Sequence, residues 1–126
     1  MNDRDFHEEQ LGLFRAFSER LETIAANPGN ENLSELANRV RSLAAHPERL
    51  LDDGPPLVAR FLTTTPQLAG EFPRDLLWYL GAECLHFMPD DEIARFTALD
   101  EARREADARG ERFNWREARA AQKGLN

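Results

Sequence analysis

Apolar residues recur at helical spacing along almost the whole chain, and prolines and glycines separate the stretches that carry them. Phe6, Leu13, Phe14, Phe17, Leu21 and Ile24 form the first series, with Glu8, Glu9, Arg15, Glu19, Arg20 and Glu22 between them. This is the period of an amphipathic helix. It predicts a helix over residues 5–26, stopped by the turn Asn27-Pro28-Gly29-Asn30. Leu33, Leu36, Ala37, Val40, Leu43 and Ala44 predict a second helix over 33–45, with Asn32 and Glu35 spaced as a capping box.

Five prolines (Pro47, Pro56, Pro66, Pro73 and Pro89) each precede a run of helix-forming residues. Proline suits the first helical turn, where the missing amide hydrogen would have had no partner. The spacing therefore predicts a short helix at 47–51, a loop at 52–55, a helix at 56–63 and a single turn from Pro66 to Gly70. Residues 73–87 are apolar on most sides and predict one continuous central helix. A helix over 89–109 opens with Asp90, Asp91 and Glu92, which complement its positive end, and Gly110 closes it. A last helix starts after Asn114. Asn114 and Glu117 match a capping box, Phe113 and Ala118 a hydrophobic staple, and Trp115, Ala118, Ala121 and Leu125 form its stripe. The expected fold is all-α: an irregular bundle of five to seven helices around the helix at 73–87. No internal repeat or linker divides it, so residues 1–110 read as a body and 111–126 as a C-terminal arm of one domain.

Charge narrows the functional classes. The 126 residues carry a net charge of −7, distributed as −9 over residues 1–100 and +2 over 101–126. An acidic body argues against nucleic acid as the partner, because phosphate contact needs a clustered positive field. The longest strongly apolar run, residues 76–80, is far too short to span a membrane. The charged N-terminal residues have no apolar segment behind them, as a secretory signal would. The single cysteine, Cys84, gives no disulfide framework. The expectation is a cytoplasmic protein without a membrane or nucleic-acid partner.

No complete catalytic or metal motif is present. Glu83 and His86 have the Glu-x-x-His spacing of half a carboxylate-bridged dimetal site, but no second pair completes it. Four scattered Cys and His residues offer no zinc spacing. Asp52-Asp53-Gly54 lacks the alternating ligands of a calcium loop, and Gly54-Pro55-Pro56 cannot present successive amides to a phosphate. No metal and no cofactor is expected. Trp78, Glu83 and His86 are the pocket candidates if the protein is a small enzyme or ligand-binding protein.

The preferred reading is a non-enzymatic interaction or regulatory protein acting through its acidic surface and by self-association. After Leu99 the stripe of the sixth long segment decays to alanines. That half is expected to lie along the body or project from it, supported by the pairs Asp100–Arg104 and Glu105–Arg109. The weakly positive arm beyond it carries Phe113, Trp115, Arg116 and Arg119, the interface candidates. Aromatics and arginine are enriched at interfaces, and two-fold dimers are the commonest oligomers. The expected partner is a protein, namely a second copy exchanging this arm.

Overall fold

The computed structural model describes residues 1–124. Its six α-helices are α1 (Asp3–Ala25), α2 (Ser34–Ala44), α3 (Leu50–Thr64), α4 (Arg74–Leu80), α5 (Asp90–Ala108) and α6 (Trp115–Gly124). Four short 3-10 segments join them, at Glu31–Leu33, Pro47–Arg49, Pro66–Glu71 and Ala82–Phe87. No strand occurs among the described residues, so the all-α expectation stands. Leu125, the last residue of the expected arm stripe, lies outside them.

Helix α1 packs along α2 and against α4, α3 fills the space between α2 and α4, and α5 lies between α4 and α6. The stripe of α1 (Phe6, Phe14, Phe17 and Leu21) is buried with Val40 and Leu43 of α2 and Val58 and Phe61 of α3. Asn2 caps α1, its side-chain oxygen accepting from the Asp5 amide at 2.8 Å. The capping box expected at Asn32 does not form, because the chain enters α2 through the 3-10 turn and no side chain caps that start. At α6 the cap is present: Asn114 Oδ1 accepts from the Glu117 amide at 3.0 Å.

Two elements differ from expectation. The loop at 52–55 is helical, and α3 runs from Leu50 through Pro55 and Pro56. The turn at Pro47 leads directly into it, and Leu50, Gly54, Val58 and Leu62 share its buried side. A Cβ at Gly54 would lie 3.1 Å from Leu80 Cδ2, so burial against α4 holds this turn despite its prolines. Neither proline can donate the amide hydrogen that an α-turn would direct at the carbonyls of Leu51 and Asp52.

The central helix at 73–87 is the second difference, for it breaks at Gly81. There φ is +66° and ψ −147°, a region in which only glycine is unstrained. Ala82 follows at φ +48°. The Gly81 amide closes α4 onto Leu77 O at 3.1 Å, and the Cys84 amide opens the 3-10 segment onto Gly81 O at 2.9 Å. The break lets both pieces pack on α3.

This corner yields two substitutions of opposite sign. Gly81→Ala is expected to destabilise the protein by about 1–3 kcal/mol, since Cβ meets a Gly-only backbone region. Ala82→Gly is expected to be neutral or to stabilise by about 1 kcal/mol, since it relieves a left-handed alanine. Urea unfolding of the two variants checks both, and equal losses would mean that the corner stores no strain.

Candidate functional site

The residues singled out by spacing do not converge. Glu83 and His86 lie on the 3-10 segment beyond the Gly81 break, and both are exposed. Trp78 lies before the break, half-buried against Phe6 and Phe96. It lines a depression with Asp3, His7, Tyr79 and Arg103, whereas Glu83 lines a different one. The pocket expected at Trp78, Glu83 and His86 is therefore not formed, because residues 73–87 do not share one helix axis.

Trp78 belongs instead to an aromatic cluster that receives α6. Trp115 is 2% exposed, 4.5 Å from Phe6 and 6.2 Å from Trp78 between ring centroids. Its indole N–H donates to Asp75 Oδ2 at 2.8 Å. Arg119 reaches the same carboxylate at 3.3 Å and lies 4.9 Å over the Phe96 ring. Arg116 approaches Glu9 at 3.8 Å, and half-buried Phe113 packs against the core. The arm expected to be exchanged between chains docks on its own body. Asp75 accounts for this: it supplies an acceptor for the indole and a charge for the guanidinium in one place.

The second half of α5 lies along the body, and one residue there escaped the pattern. Arg103 is 2% exposed. Its guanidinium binds Asp100 and Asp3, each at 2.9 Å, donates to the Met1 carbonyl at 3.1 Å and stacks 4.6 Å over Phe6. The hydrogen bond and charge of Arg103 hold the Asp3 carboxyl below its ordinary range. Asp100 also pairs with Arg104 at 3.1 Å, as its spacing predicted, whereas Arg109 pairs with Glu111 instead of Glu105. An arginine among alanines gives no hydrophobic signal, so only its i,i+3 relation to Asp100 could have marked it.

Helix α3 is a ridge between two surface depressions, and exposed Pro56 lines both. On one side lie Leu51, Asp52, Pro55, Ala59, Ala82 and Glu83 around a volume of about 530 Å³. Leu51, 51% exposed, is the large apolar residue most open to solvent among those described. On the other side, between α2 and α3, a cleft of about 420 Å³ is lined by arginines and a histidine. Cys84 lies beneath the first depression, fully buried, its thiol 3.7 Å from the Pro55 carbonyl. Burial, with a smaller contribution from Glu83, pushes that thiol up to about 12, so it is not a thiolate nucleophile near neutral pH.

The fold and these surfaces define a small all-α protein whose α3 ridge separates an acid-flanked apolar depression from a basic cleft. The chain belongs to the PA2817-like family, whose model matches residues 3–124. No curated protein and no solved structure matches it. Within the described residues no helix is long and apolar enough to cross a membrane, and no group of three or more His, Cys, Asp or Glu side chains could hold a metal ion.

Two measurements test this geometry. Trp115→Ala is expected to cost about 3–5 kcal/mol in urea unfolding, the range for a buried tryptophan; a cost within about 0.5 kcal/mol would mean the arm is not docked. The buried thiol gives a pH dependence. The folded thiol titrates at about 12 against an ordinary value of 9.0, so the native state keeps its proton where the unfolded state loses it. That contribution is complete below the unfolded value and disappears as pH rises through the window between the two. Wild type is expected to lose stability faster than Cys84→Ala from about pH 9 to about pH 12. Parallel curves would contradict a buried neutral thiol.

Proposed function

We propose that the protein is a non-enzymatic interaction protein that docks a basic segment of a protein partner on the acid-flanked side of α3. The exposed Leu51 carries this reading, since it opens an apolar depression while the other large apolar residues among those described are buried or half-buried. Asp52 and Glu83 flank it with negative charge. The two prolines leave the carbonyls of Leu51 and Asp52 without α-turn donors, so the backbone adds acceptors to the same place. An apolar anchor for Leu51 together with guanidinium or ammonium donors is the matching chemistry.

The measurement is fluorescence anisotropy of a labelled peptide of alternating arginine and leucine with the full chain. Binding is expected to weaken with salt, and to fall about tenfold in Leu51→Ser and in Glu83→Gln, a loss of about 1.4 kcal/mol. Arg15→Gln, on the exposed side of α1, is expected to leave it unchanged. Equal binding to wild type and Leu51→Ser would exclude this surface.

Self-association is the second reading, favoured by the opposite signs on the two sides of α3. Asp52 and Glu83 lie on one side and Arg49 and Arg60 on the other, so a second copy can present its basic side to the acidic one. Sedimentation equilibrium at micromolar concentration separates the readings. A two-chain mass that drops to one chain in Leu51→Ser supports self-association, and a one-chain mass for wild type rejects it.

A further inference from the structure

The cleft between α2 and α3 carries more basic than acidic side chains, although the chain as a whole is acidic. Arg39, Arg49 and Arg60 line it together with His46, in a chain of net charge −7. Arg39 pairs with Glu35 one helical turn away at 3.1 Å. Arg49 and Arg60 make no ion pair among the described residues. Asp53 is the one carboxylate lining the cleft, and it pairs with neither. Three guanidinium groups against one carboxylate leave the concave surface with an excess of positive charge, and such a cleft concentrates anions.

Leu43, Pro56 and Leu57 supply an apolar lining to the cleft. His46 adds a directed polar group. Its Nδ1–H donates to the Ser42 carbonyl at 2.8 Å, which leaves Nε2 as the free ring atom. A second, smaller depression continues the cleft along the same helices and shares Arg39 and Arg60 with it. The volume of about 420 Å³ falls within the range of small-molecule sites, about 300–1,000 Å³. A simple inorganic anion would use the arginines and leave the apolar lining wet. A neutral apolar molecule would leave the guanidinium groups without a partner. Both features are used by a molecule with an anionic head and an apolar body, and arginine is the side chain best shaped to grip such a head through paired N–H donors.

We infer that the α2–α3 cleft is a binding site for a small organic anion, its phosphate or carboxylate head held by Arg39, Arg49 and Arg60 and its apolar body lying on Leu43, Pro56 and Leu57. This site is separate from the acid-flanked surface on the other side of α3 and does not depend on it.

Phenyl phosphate is the probe, with inorganic phosphate, benzyl alcohol and octanoate as comparisons, titrated into the full chain and followed by amide chemical shifts in NMR. Saturable binding of phenyl phosphate and octanoate is expected, with shifts centred on residues 39–60. Inorganic phosphate and benzyl alcohol are expected to bind at least about tenfold more weakly, each lacking half of the interaction. The double variant Arg49→Gln/Arg60→Gln changes exposed residues only. It is expected to keep the wild-type melting temperature and to lose about tenfold or more in phenyl phosphate affinity, as removal of charge-assisted hydrogen bonds predicts. Leu57→Asn serves as a second variant, expected to weaken phenyl phosphate but not inorganic phosphate.

Three outcomes would overturn the inference: unchanged affinity in the double variant, shifts centred outside residues 39–60, or inorganic phosphate binding as tightly as phenyl phosphate. Co-sedimentation with vesicles of anionic phospholipid separates a lipid headgroup from a free ligand. Binding to vesicles without binding to free phenyl phosphate or octanoate would also overturn it.

Discussion

The packing of this protein depends on one buried cation. Arg103 would be costly to remove from water by itself. It is tolerated because the Asp100 and Asp3 carboxylates, the Met1 carbonyl and the face of Phe6 surround it. These contacts tie the start of α1 to the second half of α5, two segments separated by almost the whole chain. Phe6 then serves twice, under the guanidinium and against Trp115. The docking of α6 and the seating of α5 are thus parts of one cluster. Removing Arg103 would leave buried carboxylate behind and unseat an aromatic ring, so its neighbours contribute to stability through it.

Asp75 does the corresponding work at the other end of the cluster. It accepts the indole hydrogen of Trp115 and pairs with Arg119. The negative body and weakly positive arm, visible as a charge difference along the chain, meet within one molecule at this carboxylate. The same complementarity was read from the sequence as a reason for exchange between chains. Periodicity and charge cannot distinguish the two, because both bring the same surfaces together. The loop from Gly110 to Asn114 is long enough to turn α6 back on its own body, where Trp115 and Arg119 meet Asp75.

What could be read in advance followed local chemistry. The starts at Pro73 and Pro89, the stripe of α2 and the Asn114 cap are properties of a few adjacent residues, and they appear nearly where expected. The failures were places where tertiary burial overrode a local rule. Pro55 and Pro56 lie inside α3 because Gly54 brings that turn against Leu80. Gly81, the one available signal of a break in 73–87, stood in an apolar run that concealed it. Gln10 and Ser18 are buried on α1 beside its apolar stripe, where periodicity gives polar residues no mark; neither amide atom of Gln10 has a hydrogen-bond partner among the described residues. The basic cleft was not legible at all. Its arginines come from α2, from the turn before α3 and from α3 itself, and only the packing of those helices makes them neighbours.

The aromatic cluster also has an optical consequence. Both tryptophans of the chain, Trp78 and Trp115, lie in it, and neither lines the basic cleft or the depression beside Leu51. Intrinsic emission of the molecule therefore reports on one place, the seat of α6, with a nearby guanidinium and carboxylate setting its colour. Undocking of the last helix would transfer Trp115 to water and shift the emission to the red while most of the helical backbone persisted. Ligands on either side of α3 would leave the signal almost silent, so the protein carries a built-in fluorophore for its own closure and none for its surfaces.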